Sequence, residues 1–259
     1  MTKAKPTSHR RLFFDIETAP NLAFIWRPGS KISVGHQSII VERAIICICW
    51  KWEHEKRVHY LTWDEKQNDR TMLKEFVDIM ESADEVIGHN SKKFDTKWVR
   101  GRCLFHRIPM IPQFIEIDTL TEFRKYFNLN CNKLDYLGNF LGHGSKVDYG
   151  GLDTYKKIIL KNNKSALKRM VDYCKNDVVL LQNIYEDIKP YIIATTHRGM
   201  AEGKSRLSCP ECGSENYRKG CFRIRASGVK VKQVSCNDCG KFWTLPEKVY
   251  FRLLAEQEK

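Results

Sequence analysis

Apolar positions along the chain follow two rhythms in succession. Leu12, Phe13, Phe14 and Ile16 enclose Asp15 and stop at Glu17-Thr18, a short apolar run that predicts a buried strand over 11–18. Residues 19–43, punctuated by Pro and Gly, predict no definite form. Residues 44–52 and 57–63 predict two strands joined by the polar turn Glu53-His54-Glu55-Lys56, an antiparallel hairpin. The rhythm then becomes helical: Met72, Leu73, Phe76, Val77, Ile79 and Met80 mark an amphipathic helix over 69–81. A strand over 85–89, a helix over 94–105, a strand over 114–118 and helices over 119–126 and 134–141 follow. The last helix, about 165–188, carries Leu167, Met170, Val171, Cys174, Val178, Leu181, Ile184 and Ile188 on one stripe. Three early strands, then strand and helix in alternation, predict an α/β domain with a mixed five-stranded sheet flanked by helices.

Composition refines this picture. A chain of 259 residues suits one full domain and a small appendage. The expected division is a basic arm over 1–10, a main domain over 11–194, a Gly-containing polar linker over 195–207, a second unit over 208–245 and a tail over 246–259. A net charge of +13 points to a polyanionic partner, nucleic acid ahead of an anionic membrane. The most apolar region, 38–52, is interrupted by Glu42 and Arg43 and is too short to span a bilayer. The first eleven residues lack the apolar core of a secretory signal. Cys47, Cys49, Cys103, Cys131 and Cys174 are scattered through apolar or helical contexts, as in a reduced, cytoplasmic protein.

Candidate chemistry begins on the first strand. Side chains alternate faces, so Asp15 and Glu17 project together while Phe14 and Ile16 point the other way. Two carboxylates this close repel unless a cation lies between them, and all-oxygen donors suit Mg²⁺ or Mn²⁺. Alone, the pair reads sooner as a strand running into a solvated acidic turn. Asp95 falls where a strand gives way to a helix, and the helix dipole favours an acid there. If that strand neighbours the first, Asp95 faces Asp15 and Glu17. On the long helix, Tyr173 and Asp177 are four apart and stack on one face. Singly, these are also an ordinary helix acid, a core tyrosine and a surface aspartate.

Near the C-terminus, Cys209-Pro210-Glu211-Cys212-Gly213 and Cys236-Asn237-Asp238-Cys239-Gly240 are paired C-x-x-C knuckles. In a reduced compartment they indicate one tetrahedral structural Zn²⁺, with disulfides as the alternative and Cys221 as a spare. Between the knuckles, residues 222–232 alternate around Ser227-Gly228. The pattern predicts a hairpin with Phe222, Ile224, Val229 and Val231 inward. Arg223, Arg225, Lys230 and Lys232 would then share the other face, suited to phosphates or simply to water. Phe242 and Trp243 are assigned to the core of this ribbon rather than to base stacking.

Taken in order, strand-borne D-x-E, then N-x-x-x-F-D (Asn90 to Asp95), then helical Y-x-x-x-D resemble the DEDD exonuclease superfamily in its tyrosine-bearing branch. Ile117-Asp118-Thr119 resembles that family's fifth strand. Asn132-Lys133-Leu134-Asp135-Tyr136-Leu137, with Leu141-Gly142, resembles the helix before the last motif in family B polymerase proofreading domains. Asp15-Ile16-Glu17-Thr18-Ala19-Pro20-Asn21-Leu22 and the cysteine ribbon resemble a group of phage and prophage exonuclease-like proteins. The resemblance implies a ribonuclease H-like fold and metal-dependent removal of nucleotides from 3′ ends. It implies that Asp15, Glu17 and Asp177 hold one Mg²⁺ or Mn²⁺, and that Asp15 bridges to a second with Asp95 helping through water. Tyr173 would position the attacking water, and Thr18, Asn90 and Phe94 would line the pocket for the terminal nucleotide. Two ions suit in-line attack on a phosphodiester, one activating water and one stabilising the leaving oxygen. DNA is the preferred substrate on the polymerase-like motif, with RNA open. A non-catalytic binding or recruitment protein and an endonuclease using the same metals are the alternatives.

Overall fold

Strand β1 (Arg11–Thr18) occupies the centre of the sheet, and its first six residues but one are fully inside the protein. The computed structural model describes residues 9–27, 29, 32–145 and 148–257. From β1 the chain enters a small hairpin, β2 (Leu22–Ala23) and β3 (Ile39–Val41), in the stretch for which no form was predicted. Strand β4 (Ile45–Trp52) then returns antiparallel to β1 and pairs with β5 (His59–Thr62). Helix α1 (Arg70–Glu81), β6 (Glu85–Gly88), α2 (Asp95–His106), β7 (Glu116–Asp118) and α3 (Thr119–Tyr126) alternate as expected. Helices α4 (Leu134–Phe140), α5 (Gly151–Lys161) and α6 (Lys164–Ile188) complete the domain. Among the described residues the strands form a five-stranded sheet in the order β5-β4-β1-β6-β7, with β1, β6 and β7 parallel.

β1 divides the core. Leu12, Phe14 and Ile16 pack with residues of α1 and α2, whereas Phe13, beside Cys47 and Cys49 of β4, packs under α6. The predicted stripe of α6 is buried from Met170 to Ile188, and each such apolar side chain contributes roughly 1.5–3 kcal/mol when removed from water. Asn163 caps the helix, its Oδ1 accepting from Ala166 N at 2.9 Å. Helix α5 was not predicted. It buries Thr154 and Ile158, and so carries only a narrow apolar signal.

The C-terminal unit comprises α7 (Arg198–Ala201), β8 (Tyr217–Ile224), β9 (Lys230–Cys236), β10 (Phe242–Pro246) and α8 (Glu247–Gln257), with a sheet in the order β10-β9-β8. The expected tail is therefore largely helix α8, whose Tyr250 and Leu253 pack with Leu207 and Leu245. The expected linker is not free either. Hydroxyls of Thr195 and Thr196 donate to Glu85 Oε1 at 2.5 and 2.8 Å, and Arg198 is buried. Of the expected arm, residues 1–8 lie outside the described residues. His9 is buried and 2.9 Å from the Thr196 hydroxyl.

The two units meet at a dry cluster of charges. Arg11, only 1% exposed, lies 2.5 Å from Glu85 and 3.3 Å from Glu53, and donates directly to Glu211 of the first knuckle. Glu211 is also 3.3 Å from Lys241, which follows the second knuckle, and Lys241 Nζ donates to Lys189 O at 2.5 Å. Arg198 pairs with Glu53 from the other side. Burial alone would raise both Glu53 and Glu85. Arg11, with Arg198 for Glu53 and the two threonines for Glu85, reverses this and holds them below the usual carboxylate range.

Candidate active site

At the opposite end of β1, strand and helix bring three carboxylates together. One oxygen each of Asp15, Glu17 and Asp177 lies within 4.8 Å of the others. Strand alternation puts Asp15 and Glu17 on the α6 side, and helical periodicity turns Asp177 from the α6 stripe toward them. Asp95, at the first turn of α2, is not part of this set. Its Oδ1 accepts from Ile16 N at 3.3 Å, which holds it beside β1 on the neighbouring strand's exit. Asp95 is 3% exposed, and burial together with Glu116 and Asp118 pushes its carboxyl up to about 7, against the pull of its own and Ile16's N–H groups. A divalent cation nearby would reverse that balance. Three hard oxygen donors around one point fit Mg²⁺ or Mn²⁺, and would hold it there by charge.

The wall behind the acids is apolar and thiol-rich. Cys49 and Cys47 pair across the sheet from Asp15 and Glu17, and with Cys174 of α6 their sulfurs lie within 4.8 Å of one another. Burial pushes the Cys49 and Cys174 thiols up, so they remain neutral. The Cys174 thiol is 3.6 Å from Asp15 Oδ2, a contact that packs the carboxylate without adding charge. Thr18 ends β1, half-buried. Asn90 adopts the left-handed conformation (φ 64°), and its N–H donates to Asp118 Oδ1 at 2.9 Å. A groove of about 720 Å³ beside it is lined by His89, Arg124, Asn132 and Lys133 among others. Phe94, immediately before Asp95, is partly exposed, with its ring 6.1 Å from that of Trp98.

Tyrosines form the opposite wall, and of the three only Tyr173 is foreseen from the sequence. Tyr173 packs against Tyr149 at 4.8 Å between ring centroids, and Tyr149 against Tyr155 at 5.9 Å. The Tyr155 hydroxyl donates to Glu17 Oε2 at 3.3 Å. Burial, and then the Glu17 charge, push its own titration up, so it stays a donor. Tyr155 lies three residues before Ile158 on α5, so an amphipathic reading of 151–161 would have placed it inward. Partners of metal-binding carboxylates typically contribute a factor of 10–100 in metal affinity. Tyr155→Phe is therefore expected to weaken Mn²⁺ binding about tenfold, followed as the shift of melting temperature with Mn²⁺ concentration. An unchanged titration would show that the hydroxyl does not support Glu17.

The four knuckle cysteines also converge. Their sulfurs lie within 4.8 Å of one another, with Cys209 to Cys239 at 3.5 Å and Cys212 to Cys236 at 3.6 Å. Zn–S bonds of about 2.3 Å in a tetrahedron put sulfurs about 3.8 Å apart, so the set is compatible with zinc. Gly213 (φ 72°) and Gly240 (φ 74°) adopt the same left-handed turn, their N–H groups donating to the carbonyls of Cys209 and Cys236. Elemental analysis is expected to find about one zinc per chain, and Cys236→Ser to lose it. Two disulfides and no zinc would overturn that expectation.

The predicted basic face of the ribbon needs correction. Phe222 pairs with Lys232 and Ile224 with Lys230, while Arg225 N–H donates to Val229 O. The odd-length loop 226–228 puts residues of like parity on one face, so Arg223 and Arg225 share theirs with Val229 and Val231. Lys230 and Lys232 instead lie over the Phe222 ring at 4.7 and 4.4 Å, and Lys230 pairs with Glu247 at 2.6 Å. Ile224 and Val229, expected inward, are 74% and 44% exposed. Trp243 packs on the ribbon core as expected, but Phe242 is exposed.

A family model described as the RNase_H superfamily matches residues 41–189, more than half of the chain. That range contains Asp95, Tyr173 and Asp177, and begins after β1. Among solved structures, the family B DNA polymerase from the hyperthermophilic archaeon Pyrobaculum calidifontis matches with a TM-score of 0.54 and 16% identity, covering 70% of this chain and 25% of that one. The likeness is one of fold and spans a quarter of the polymerase's length. No curated protein matches the sequence. Among the described residues, no helix is long and apolar enough to cross a membrane.

Proposed function

We propose that this chain, which belongs to the ribonuclease H superfamily, is a metal-dependent 3′→5′ exonuclease that hydrolyses phosphodiester bonds of DNA. The observation that carries this reading is the convergence of Asp15, Glu17 and Asp177 from β1 and α6, with Asp95 at the end of the adjacent strand. Two Mg²⁺ or Mn²⁺ ions bound there would supply an activated water and stabilisation of the leaving oxygen. Asp15, Glu17 and Asp177 would hold the first, and Asp15 with Asp95 would serve the second. Tyr155 fixes the Glu17 carboxylate, and Tyr173 orients the water, which a bound metal would activate without a side-chain base. Thr18, Asn90 and Phe94 flank the terminal nucleotide. Cys209, Cys212, Cys236 and Cys239 would hold one structural Zn²⁺ in the ribbon, whose Arg223 and Arg225 assist binding from the far end of the sheet. The scatter of Cys47, Cys49, Cys103, Cys131 and Cys174 through apolar or helical segments suits a reducing, cytoplasmic setting.

The test is digestion, with added Mn²⁺, of matched DNA and RNA, single- and double-stranded, labelled at the 5′ end. Stepwise shortening and release of mononucleotides from linear DNA, with circular single strands left intact, is the expected result. Cutting of the circle would identify an endonuclease, and binding without any product a non-catalytic protein.

A further inference from the structure

The β2–β3 hairpin takes no part in the chemistry above, yet it grows out of the catalytic end of the sheet. Beyond Thr18 the β1–β4 pairing continues, Ala19 N–H donating to Ala44 O at 2.9 Å and Leu22 pairing with Val41. The hairpin displays side chains that folded chains normally hide. Trp26 is fully exposed and Phe24 77% exposed, with Ile25, Ile40 and Val41 also open to solvent. Phe24, Ile25 and Trp26 line one concavity with Ile32 and Val34, and apolar exposure grouped in this way marks an interaction site.

Cations and rings connect it to the acids. Arg43 N–H donates to Asn21 Oδ1 at 3.0 Å at the base of the hairpin, and its guanidinium lies 4.5 Å from the Trp98 ring. Trp98 meets Phe94, and Phe94 precedes Asp95. Alongside runs a groove of about 560 Å³ lined by Arg43, Lys93, Lys97, Trp98 and Arg102, with Glu42 as its one acid. Positive charge alternating with exposed planar rings suits a polyanion whose bases are free to stack. A single strand offers both features, whereas a duplex hides its base faces. A chain of net charge +13 is complementary to such a ligand and repels a second copy of itself.

We propose that the β2–β3 hairpin and the outer face of α2 form the track for the single-stranded segment that feeds a 3′ end to the acids. Phe24 and Trp26 stack on bases, and Arg43, Lys93 and Lys97 take phosphates. As a substrate track it rests on the nuclease reading, but its binding can be measured without turnover. Fluorescence anisotropy in Ca²⁺ would follow labelled single strands from a dinucleotide to about twelve nucleotides, within the usual span of such sites. Affinity of the unaltered chain is expected to rise with length. In Phe24→Ala/Trp26→Ala that rise should flatten, leaving the longest strand about tenfold or more weaker, as loss of a base–aromatic stack predicts. The exposure of both side chains lets the variant fold. An unchanged length dependence overturns the track. So does a variant that loses self-association in sedimentation while binding strands as before. If strands bind through the hairpin but no Mn²⁺-dependent product appears, the track stands and the nuclease reading fails.

Discussion

Asp15→Asn is expected to fold normally and to release no nucleotide above a level about a thousandfold below that of the unaltered chain. Losing a single electrostatic contact at a reacting centre already costs roughly 10²–10³ in rate, and Asp15 is assigned to both ions. The substitution also relieves repulsion among three carboxylates whose oxygens lie within 4.8 Å. Without divalent metal the variant should therefore melt no lower than the parent. It should also lose most of the rise in melting temperature that Mn²⁺ gives the parent. Retained turnover, or an undiminished response to Mn²⁺, would sink the assignment of the acids.

Arg11→Met is expected to be the most destabilising single change outside the apolar core. It leaves Glu53, Glu85 and Glu211 facing one another in a region closed to water. Removing one partner of a buried charge cluster costs about 3–5 kcal/mol, which for a chain of this size lowers the melting temperature by roughly 10 °C. The effect should depend on pH with a definite sign. In the parent, Glu53 and Glu85 titrate below their ordinary range, so the stability they contribute is present above that range and disappears as pH falls through their depressed values. Without Arg11, burial is opposed chiefly by Arg198 at Glu53 and the two threonines at Glu85, so both glutamates take up protons more readily. The melting gap between parent and variant should be widest near neutrality and narrow toward pH of about 4.5. A gap that is small, or the same at every pH, would show that the cluster is not closed to water.

The fold was legible because its elements follow strict periods. Alternation around Asp15 fixed the face of β1, and the Leu167–Ile188 stripe fixed both the extent and the inner side of α6. The same two periods made the meeting of Asp15, Glu17 and Asp177 foreseeable, since each acid sits at a defined phase of a buried element. What was not legible depends on distance rather than period. Tyr155 reaches Glu17 only through the packing of α5, a helix with a narrow apolar signal. Glu211 and Arg11 are far apart in sequence and carry no motif between them. Alternation within residues 222–232 was read correctly strand by strand, but one residue of loop length decided which face each strand presents. The hairpin at 22–41 escaped notice because its strands are short and its apolar side chains point outward.

The seat of the ribbon has a metric consequence. It grips β1 through Arg11, whereas the acids lie at positions 15 and 17 of the same strand, about 13–20 Å farther along at roughly 3.3 Å per residue. On the nuclease reading, a strand would have to cross at least that distance from the scissile bond before it could touch both. Fragments shorter than that gauge meet only the chemistry, and those longer can be anchored at its other end.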